Sequence, residues 1–256
     1  MEDQNIWKRR NFIKRTLLGV LALSLTGCDY FSRNKTFTKI LGQAETLNRK
    51  FQKAIRPRAA MAKEFSETDL SPIFPINGNS NPENSTYQQH LEEGFENWML
   101  IVKGLVENPL SFSLNEIKQL PSRVQITRHD CVEGWSAIGK WKGVKLGDLL
   151  DRVRLKPIAR YVIFHCADTD EDDVFYYESI DLEDAFHPQT ILAYELNDKP
   201  LPVANGAPIR LRVERQLGYK MAKFIMEIEV SDRLDHVGEG HGGYWEDQGY
   251  EWYAGI

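Results

Sequence analysis

One cysteine in this chain lies among charged and polar residues in a way that could support chemistry. It is Cys131, in the segment Arg128-His-Asp-Cys-Val-Glu-Gly-Trp135. Arg128 and His129 would favour the thiolate electrostatically, and a thiolate can act as a nucleophile, a redox thiol or a soft-metal ligand. On a strand, His129 and Cys131 would share one face because side chains alternate. A half-buried structural cysteine fits the same spacing equally well.

The sequence contains none of several other common catalytic and metal-binding motifs. The six histidines form neither a zincin nor a zinc-finger pattern, and no Cys-x-x-Cys occurs. Three cysteines cannot supply a four-cysteine zinc site. The chain also contains no Gly-x-Ser-x-Gly, which disfavours a serine hydrolase of that type.

Composition limits the class of protein. The chain has 256 residues, of which 42% are hydrophobic and 27% charged, as in ordinary globular proteins. Its net charge is −5, and removal of residues 1–27 leaves 27 basic and 35 acidic residues, a net charge of −8. An acidic chain is a poor nucleic-acid binder, although a local basic pocket for one anionic cofactor stays open.

The N-terminus reads as an export signal over residues 1–27. Lys8-Arg-Arg-Asn-Phe-Ile-Lys14 resembles a twin-arginine motif. The apolar run Thr16–Thr26 is shorter than the roughly 20 residues that span a bilayer and suits a signal sequence. Leu25-Thr-Gly-Cys28 resembles a lipobox, in which Cys28 receives a lipid. We expect a periplasmic, lipid-anchored protein exported in the folded state, a route that suits a bulky cofactor. An amphipathic basic helix or an uncleaved anchor is the alternative.

The rest of the chain predicts a tether and helical lead-in over 28–70 and one α+β domain over 71–256. Residues 71–90 are loop by composition, and the Gly- and aromatic-rich tail 236–256 should wrap the domain. The predicted strands are Trp98–Val106, Arg123–Arg128, Arg160–Cys166, Val174–Tyr177, Ile191–Leu196, Pro208–Val213 and Lys220–Val230. The predicted helices are one opened by a capping box at Ser113–Glu116, Lys145–Val153 and Asp181–Phe186.

Several motifs in order resemble one known family. Cys131-Val-Glu-Gly-Trp135, followed by Trp141-Lys-Gly-Val-Lys-Leu-Gly-Asp-Leu-Leu150, is similar to the molybdopterin-binding domain of the sulfite-oxidase superfamily. The similarity is greatest to the branch with the catalytic subunit of the periplasmic protein-methionine-sulfoxide reductase. It continues through Asn205-Gly-Ala-Pro-Ile-Arg210, Leu217-Gly-Tyr-Lys220 and Gly243-Tyr-Trp-Glu246. The resemblance implies a sulfite-oxidase-like molybdopterin-binding fold, with mixed β-sheets, short helices and long loops.

The resemblance also implies a set of site residues for a molybdenum–molybdopterin cofactor. Cys131 would ligate the metal, and His129 would line its substrate side. Arg210 can fork onto the cofactor's phosphate, and Lys223 can add a point charge. The other implied cofactor contacts are Asn77, Cys166, Asn205, Met221 and Ala222.

Each implied contact has a structural alternative. Without the resemblance, Arg210 would be a surface salt-bridge residue and Lys223 a solvated strand residue. Asn205 would lie in a hairpin turn, and His129 would be a structural histidine. Cys166 stands where the family often has Ser or Thr, which leaves its role open because a thiol is a weaker hydrogen bonder.

The implied activity is oxygen-atom transfer on a small substrate or a sulfoxide. The chain carries no cytochrome b5 domain and no Cys-x-x-Cys-His motif. We therefore expect electrons to pass to a separate protein, such as a membrane haem subunit. True sulfite oxidases tend to carry Cys-Ala-Gly-Asn-Arg, so Cys131-Val-Glu-Gly-Trp135 favours a reductase over sulfite oxidation. Two other hypotheses stay open: a non-catalytic lipoprotein that uses the fold as a binding module, and a thiol enzyme using Cys131 with His129 or Cys166.

Overall fold

The structure is a computed structural model in which two parts of the chain are distinct. The residues that it describes are 60–170, 173–256 and the isolated helical positions 36, 44, 47 and 51. One unit covers residues 1–57 and a second, compact unit covers 58–256. The predicted signal, Cys28 and most of the predicted lead-in lie outside the described residues. In the described part, no helix is long and apolar enough to cross a membrane.

The second unit is built mainly from strands. Those in the described residues are β1 (Met99–Gly104), β2 (Leu110–Ser113), β3 (Ser122–Asp130), β4 (Ser136–Lys145), β5 (Tyr161–Thr169), β6 (Phe175–Asp181), β7 (Ile191–Leu196), β8 (Lys199–Pro200), β9 (Arg210–Arg212) and β10 (Ile225–Ser231). The α-helices there are α1 (Ser85–Glu92), α2 (Leu114–Gln119), α3 (Leu146–Val153), α4 (Leu182–Ala185) and α5 (Tyr244–Asp247).

The strands form two five-stranded mixed or antiparallel sheets. The first has the order β2-β1-β10-β5-β6, with β1 and β10 parallel. The second has the order β3-β4-β7-β8, and β9 also pairs with β7. In the β3–β4 hairpin His129 pairs with Ala137, and on β9 Arg210 pairs with Ala193. Mixed sheets with short helices confirm the predicted fold class.

A single large core joins the two sheets. Leu100 and Phe164 from the first sheet and Leu192 and Leu211 from the second belong to one buried cluster. Each fully buried side chain of this kind contributes about 1.5–3 kcal/mol. Helix α3 adds four residues at helical spacing, Leu146, Leu149, Leu150 and Val153. The core therefore holds β5, β9 and β10 rigidly at the place where the candidate site forms.

Local capping signals were reliable predictors of two helices. Ser113 Oγ accepts from the Glu116 amide at 3.2 Å, and the Glu116 carboxylate accepts from the Ser113 amide at 2.7 Å. This capping box opens α2, as predicted. The Asp181 side chain caps α4 by accepting from the Asp184 amide at 2.9 Å. Helix α3 also confirms its prediction.

Two secondary-structure predictions were wrong, and the long strand β4 was not predicted at all. Residues 71–90 contain α1, whose Asn84 cap accepts from the Tyr87 amide and whose Tyr87 is buried. Strand β4 was missed because its exposed face carries lysines. The predicted strand Lys220–Val230 begins only at Ile225, since Gly218–Lys220 forms a short 3-10 turn.

The tail wraps the domain as predicted. The Leu217 amide donates to Ala254 O at 2.9 Å, and the Trp252 indole donates to Ser179 Oγ at 2.8 Å. At the other end, the Phe65 amide donates to Ile126 O at 2.9 Å, so part of the segment before residue 71 also packs on the domain. The tail also forms part of the wall of the candidate site, through Tyr244 and Trp245.

Candidate active site

A cavity of about 300 Å³ opens beside Cys131. The turn after β3, the end of β5, the segment before β10 and the tail all contribute to its walls. Of the nine residues predicted for the site, four line this cavity: Asn77, Cys131, Met221 and Lys223. The other five lie behind its walls or in the adjoining core.

Cys131 begins the turn that joins β3 to β4. Its amide donates to Trp135 O at 2.9 Å, and its carbonyl accepts from the Gly134 amide at 3.1 Å. Gly134 has φ +88°, a value that glycine adopts without strain. The thiol is free and half-buried on the cavity wall. Burial, and then the Glu133 carboxylate, raise its pKa.

The electrostatic support expected for the Cys131 thiolate is missing. Arg128 is exposed and pairs with Asp130 at 2.9 Å. Burial, and then the Arg212 guanidinium, lower the pKa of His129 well below its usual value, so the ring is neutral. The prediction that Arg128 and His129 favour the thiolate was therefore wrong for the protein without its cofactor.

His129 is fixed by the residues around it. Arg212 Nη1 donates to His129 Nδ1 at 2.9 Å, and the ring stacks on Trp135 with centroids 5.3 Å apart. Nε2 therefore carries the hydrogen, and it is buried without a partner. It faces Gly218, where a Cβ atom would collide with the ring. Since Nδ1 is occupied as an acceptor, the structure offers little support for His129 as a base acting on Cys131.

Arg210 is a fully buried guanidinium behind the cavity. It donates to Asn205 O at 3.0 Å and to Met221 O at 3.4 Å. Its Nε and the Asn205 Nδ2 have no partner, and Arg210 forms no ion pair with any described residue. Burial, and then Arg212, lower the pKa of Arg210 to about 9. A buried cation without a counterion is costly, so an anion bound here would offset that cost.

Lys223 lies in the turn before β10 and not in a solvated strand. Its Nζ donates to three backbone carbonyl oxygens, those of Asn77 (2.6 Å), Asn79 (2.5 Å) and Ala204 (3.2 Å). Burial, and then Arg210, lower its pKa to about 7. Asn77 has a buried side-chain oxygen without a partner. Asn77, which the resemblance implied as a cofactor contact, thus lies at the site, where its backbone carbonyl contacts Lys223.

Cys166 and Ala222 lie in the core beside the site. Ala222 O accepts from the Leu211 amide at 2.8 Å, which joins the segment before β10 to β9. Burial, and then Asp168, raise the pKa of Cys166 well above its usual value. Cys131 and Cys166 are both free thiols. The structure therefore contains no Cys131–Cys166 disulfide.

Among the residues of the site that sequence analysis missed are Asp168 and Arg212. Asp168 lines the cavity two positions after Cys166, and Arg212 lies two positions after Arg210. Arg212 forms a buried ion pair with Glu214 at 2.7 Å. In both cases alternation along a strand puts the missed residue on the same face as a predicted one. That spacing is the signal that could have found them.

The unpartnered atoms define what the site can hold. Asn205 Nδ2, Arg210 Nε and His129 Nε2 are buried donors, and Asn77 Oδ1 is a buried acceptor. Buried polar groups of this kind normally have partners. A ligand with an anionic group and a polar ring system would supply them. A pterin that carries a phosphate has this chemistry, so the residues present fit the expected cofactor.

Comparisons with known proteins agree with this chemistry. The family described as "Oxidoreductase molybdopterin binding domain" matches residues 87–237. A chain from Azospira oryzae, provisionally named as a protein-methionine-sulfoxide reductase subunit, YedZ1, is 37% identical over 252 residues, which is 96% of this chain and 87% of that one.

Catalytic subunits of protein-methionine-sulfoxide reductase, MsrP, are also similar over part of their length. The one from Xanthomonas axonopodis pv. citri is 40% identical over 147 residues, which is 54% of this chain and 46% of that one. The one from Campylobacter jejuni is 34% identical over 147 residues, 53% and 50% of the two chains. The matched region thus spans about half the length of these relatives. Among solved structures, the sulfane dehydrogenase SoxCD from Paracoccus pantotrophus has a TM-score of 0.49 and 22% identity, over 54% of this chain and 39% of that one.

Proposed function

Since this chain belongs to the family of oxidoreductase molybdopterin-binding domains, we propose that it is a reductase of protein-bound methionine sulfoxide. The family match confirms the resemblance seen in the motifs and makes molybdopterin the cofactor. One observation carries the proposal: the free thiol of Cys131 faces a cavity backed by Arg210, a buried cation with no acidic partner among the described residues.

The cofactor would be held by residues on the cavity wall and by buried residues behind it. Cys131 Sγ would ligate the molybdenum, and Arg210 and Lys223 would face the phosphate. Asn205 and Asn77 would complete the polar contacts. When bound, the cofactor supplies oxygen-atom transfer together with electron exchange. Because a thiolate is the ligating form, loading releases the proton that burial keeps on Cys131.

The charges of the cavity favour a neutral substrate over sulfite. Its walls include the carboxylates of Glu133, Asp168 and Asp170. Lys223, the single lysine among the described wall residues, would already be occupied by the cofactor's phosphate and by three backbone carbonyls. Arg210 is not among the described wall residues. A sulfite anion would therefore meet like charges, whereas a sulfoxide carries no net charge and avoids that repulsion.

The apolar part of the cavity suits a thioether side chain. Val132, Val174 and Trp245 line the wall and are partly exposed. Trp245 stacks on Tyr250 with centroids 5.3 Å apart, which holds the indole in place. Sulfur makes favourable contacts with aromatic rings. An exposed rim of this kind would admit a side chain from another protein, and the names of the relatives point to the same substrate.

Export and electron supply are further parts of the proposal. The twin-arginine-like and lipobox-like motifs support export in the folded state and lipid attachment at Cys28. The protein would then work in the periplasm at a membrane surface and receive electrons from a separate redox protein, such as a membrane haem subunit. Mass spectrometry of the natively exported chain tests this: we expect an N-terminus at Cys28 that carries a diacylglycerol, which Cys28→Ser would abolish.

The central experiment measures metal, pterin and activity together. Natively exported protein should contain molybdenum and pterin and should reduce peptide methionine sulfoxide when supplied with an artificial one-electron donor. Cys131→Ser should lose molybdenum and activity. Cys166→Ser makes the same chemical change at a buried thiol and should retain molybdenum, since the family often has Ser there.

Several results would contradict the proposal. Molybdenum content unchanged in Cys131→Ser would remove the metal assignment and favour thiol chemistry. A stable, metal-free exported protein would favour the non-catalytic binding module. Faster turnover of sulfite as an electron donor than of sulfoxide as an acceptor would reverse the proposed direction.

A further inference from the structure

The ionisable residues on the cavity wall differ in whether their polar atoms are engaged. Asp170 accepts from Tyr244 Oη at 2.8 Å, and Glu133 accepts from the Trp135 indole at 2.9 Å. The hydroxyl groups of two further wall tyrosines donate to backbone carbonyls, Tyr176 to Tyr219 O (2.6 Å) and Tyr219 to Glu251 O (2.6 Å). Lys223 is engaged by three carbonyls. Among the described ionisable residues of the wall, Asp168 is the one with a buried oxygen that has no partner.

Asp168 is placed where a rigid strand reaches the cavity. It is the next-to-last residue of β5, which is held between β10 and β6. Only 8% of the residue is exposed. Its Oδ1 is buried and accepts no hydrogen bond. Buried carboxyl oxygens are normally paired, and one left open on a cavity wall needs a functional explanation.

The groups that face Asp168 come from four elements. They are Lys223 from the turn before β10, Tyr87 from α1, Tyr176 from β6 and Cys166 from β5 itself. Burial raises the pKa of Asp168 to about 6, against the opposing effect of Lys223. The carboxyl group is thus present in both protonation states near neutral pH, as an acid that exchanges protons during turnover must be.

We propose that Asp168 donates a proton to the substrate oxygen during sulfoxide reduction, an inference that rests on the proposed function. The net reaction breaks the S–O bond, reduces the sulfoxide to a thioether and releases the oxygen as water. It consumes two protons and two electrons. The electrons come from a one-electron donor protein by way of the cofactor. Asp168 supplies one proton from its carboxyl group and is reprotonated from water.

The test is the pH profile of the cofactor-loaded enzyme. In the wild-type protein, kcat should fall as the pH rises through the pKa of Asp168, which burial raises above its ordinary value, because the protonated carboxyl is the active form. Asp168→Asn should lower kcat by about 10²-fold or more and remove this fall, as expected for loss of a general acid. Asp168→Glu should restore the pH-dependent fall. Asp170→Asn changes the same charge on the same wall and should keep it.

A second measurement does not depend on activity. Infrared difference spectra of the cofactor-free protein should show a carboxyl band that disappears as the pH rises through about 6. Asp168→Asn should lack that band. This measurement tests the titration of Asp168 even if the Asp168→Asn variant fails to bind the cofactor.

The outcomes separate this inference from the proposed function. An active wild-type enzyme whose Asp168→Asn variant keeps its rate and pH profile would overturn the role of Asp168 alone. So would spectra in which Asp168→Asn retains the titrating band. Wild-type protein that contains molybdenum and pterin but reduces no sulfoxide would overturn both.

Discussion

Arg210 and Arg212 lie two positions apart on β9, with their guanidinium carbons 5.3 and 4.4 Å from the ring centroid of the same Trp141 indole. Both are fully buried. Arg212 is paired with Glu214 at 2.7 Å, whereas Arg210 forms no ion pair within the described part of the chain. The two neighbouring cations therefore have opposite energetic roles: one is a structural ion pair, and the other is open to an anionic ligand.

Replacing each arginine by methionine should separate these roles. Arg210→Met should lower the molybdenum content of exported protein by about tenfold or more, the scale seen for groups that support a metal site. The cofactor-free variant should be at least as stable as wild type, because a buried unpaired charge has been removed. Arg212→Met should instead cost about 3–5 kcal/mol, since Glu214 would be buried without a cationic partner. Elemental analysis and urea denaturation give both values; equal destabilisation by the two changes would contradict this assignment.

The neutral state of His129 predicts a pH dependence of stability. Burial, and then Arg212, depress the folded-state pKa of His129. As the pH falls below about 6.5, the unfolded chain gains a proton there that the folded chain does not, so stability falls by up to about 1.4 kcal/mol per pH unit. His129→Gln can still accept from Arg212 but cannot titrate. Urea denaturation of both proteins across this range should show a shallower slope for the variant, and parallel slopes would refute the prediction.

A buried triad of one lysine and two glutamates should make the packing of the tail on the domain depend on Lys220. Lys220 Nζ contacts Glu178 on β6 at 2.5 Å and Glu246 on α5, and all three side chains are buried. Lys220→Met would leave two buried carboxylates without a counterion and should cost about 3–5 kcal/mol near pH 7. Adding Glu178→Gln and Glu246→Gln should recover most of that loss in denaturation experiments. No recovery in the triple variant would mean that packing, and not charge, explains the effect.

The contact between Gly218 and His129 predicts a steric effect. A Cβ atom at Gly218 would overlap His129 Nε2 and Cε1. Gly218→Ala should therefore destabilise the domain by about 1–3 kcal/mol, the usual cost of overpacking. Removing the ring with His129→Ala should relieve the overlap, so the double variant should lose less than the sum of the single changes. Strictly additive losses would show that the two residues are not coupled.

The parts of the fold that could be predicted are formed by interactions between residues close together in sequence. The capping box of α2 involves residues three apart, and the Cys131–Trp135 turn closes within five residues. Strand β4 was not predictable in this way. Its lysines, such as Lys140 and Lys142, reach outward to acids distant in sequence, among them Glu67 and Glu195. Only the pairing with β3 and β7 makes this segment a strand.

The parts of the site that were not predictable depend on distant contacts. From sequence alone, a lysine such as Lys223 is expected to be solvated. In the fold its ammonium group is instead held by the backbone carbonyls of Asn77 and Asn79, more than 140 positions earlier. The neutral state of His129 likewise depends on Arg212, 83 positions later. Family motifs located the right residues, but only the folded chain shows which of them are charged, which are open and which are already paired.

Two adjacent positions on α5 are under different constraints. Trp245 lines the cavity and is 37% exposed, whereas Glu246 is buried against Lys220. Mutational libraries aimed at a new substrate range can therefore diversify position 245 with small effects on folding, while position 246 must stay acidic. Specificity and foldability can evolve separately on one turn of helix because neighbouring side chains point to different surroundings.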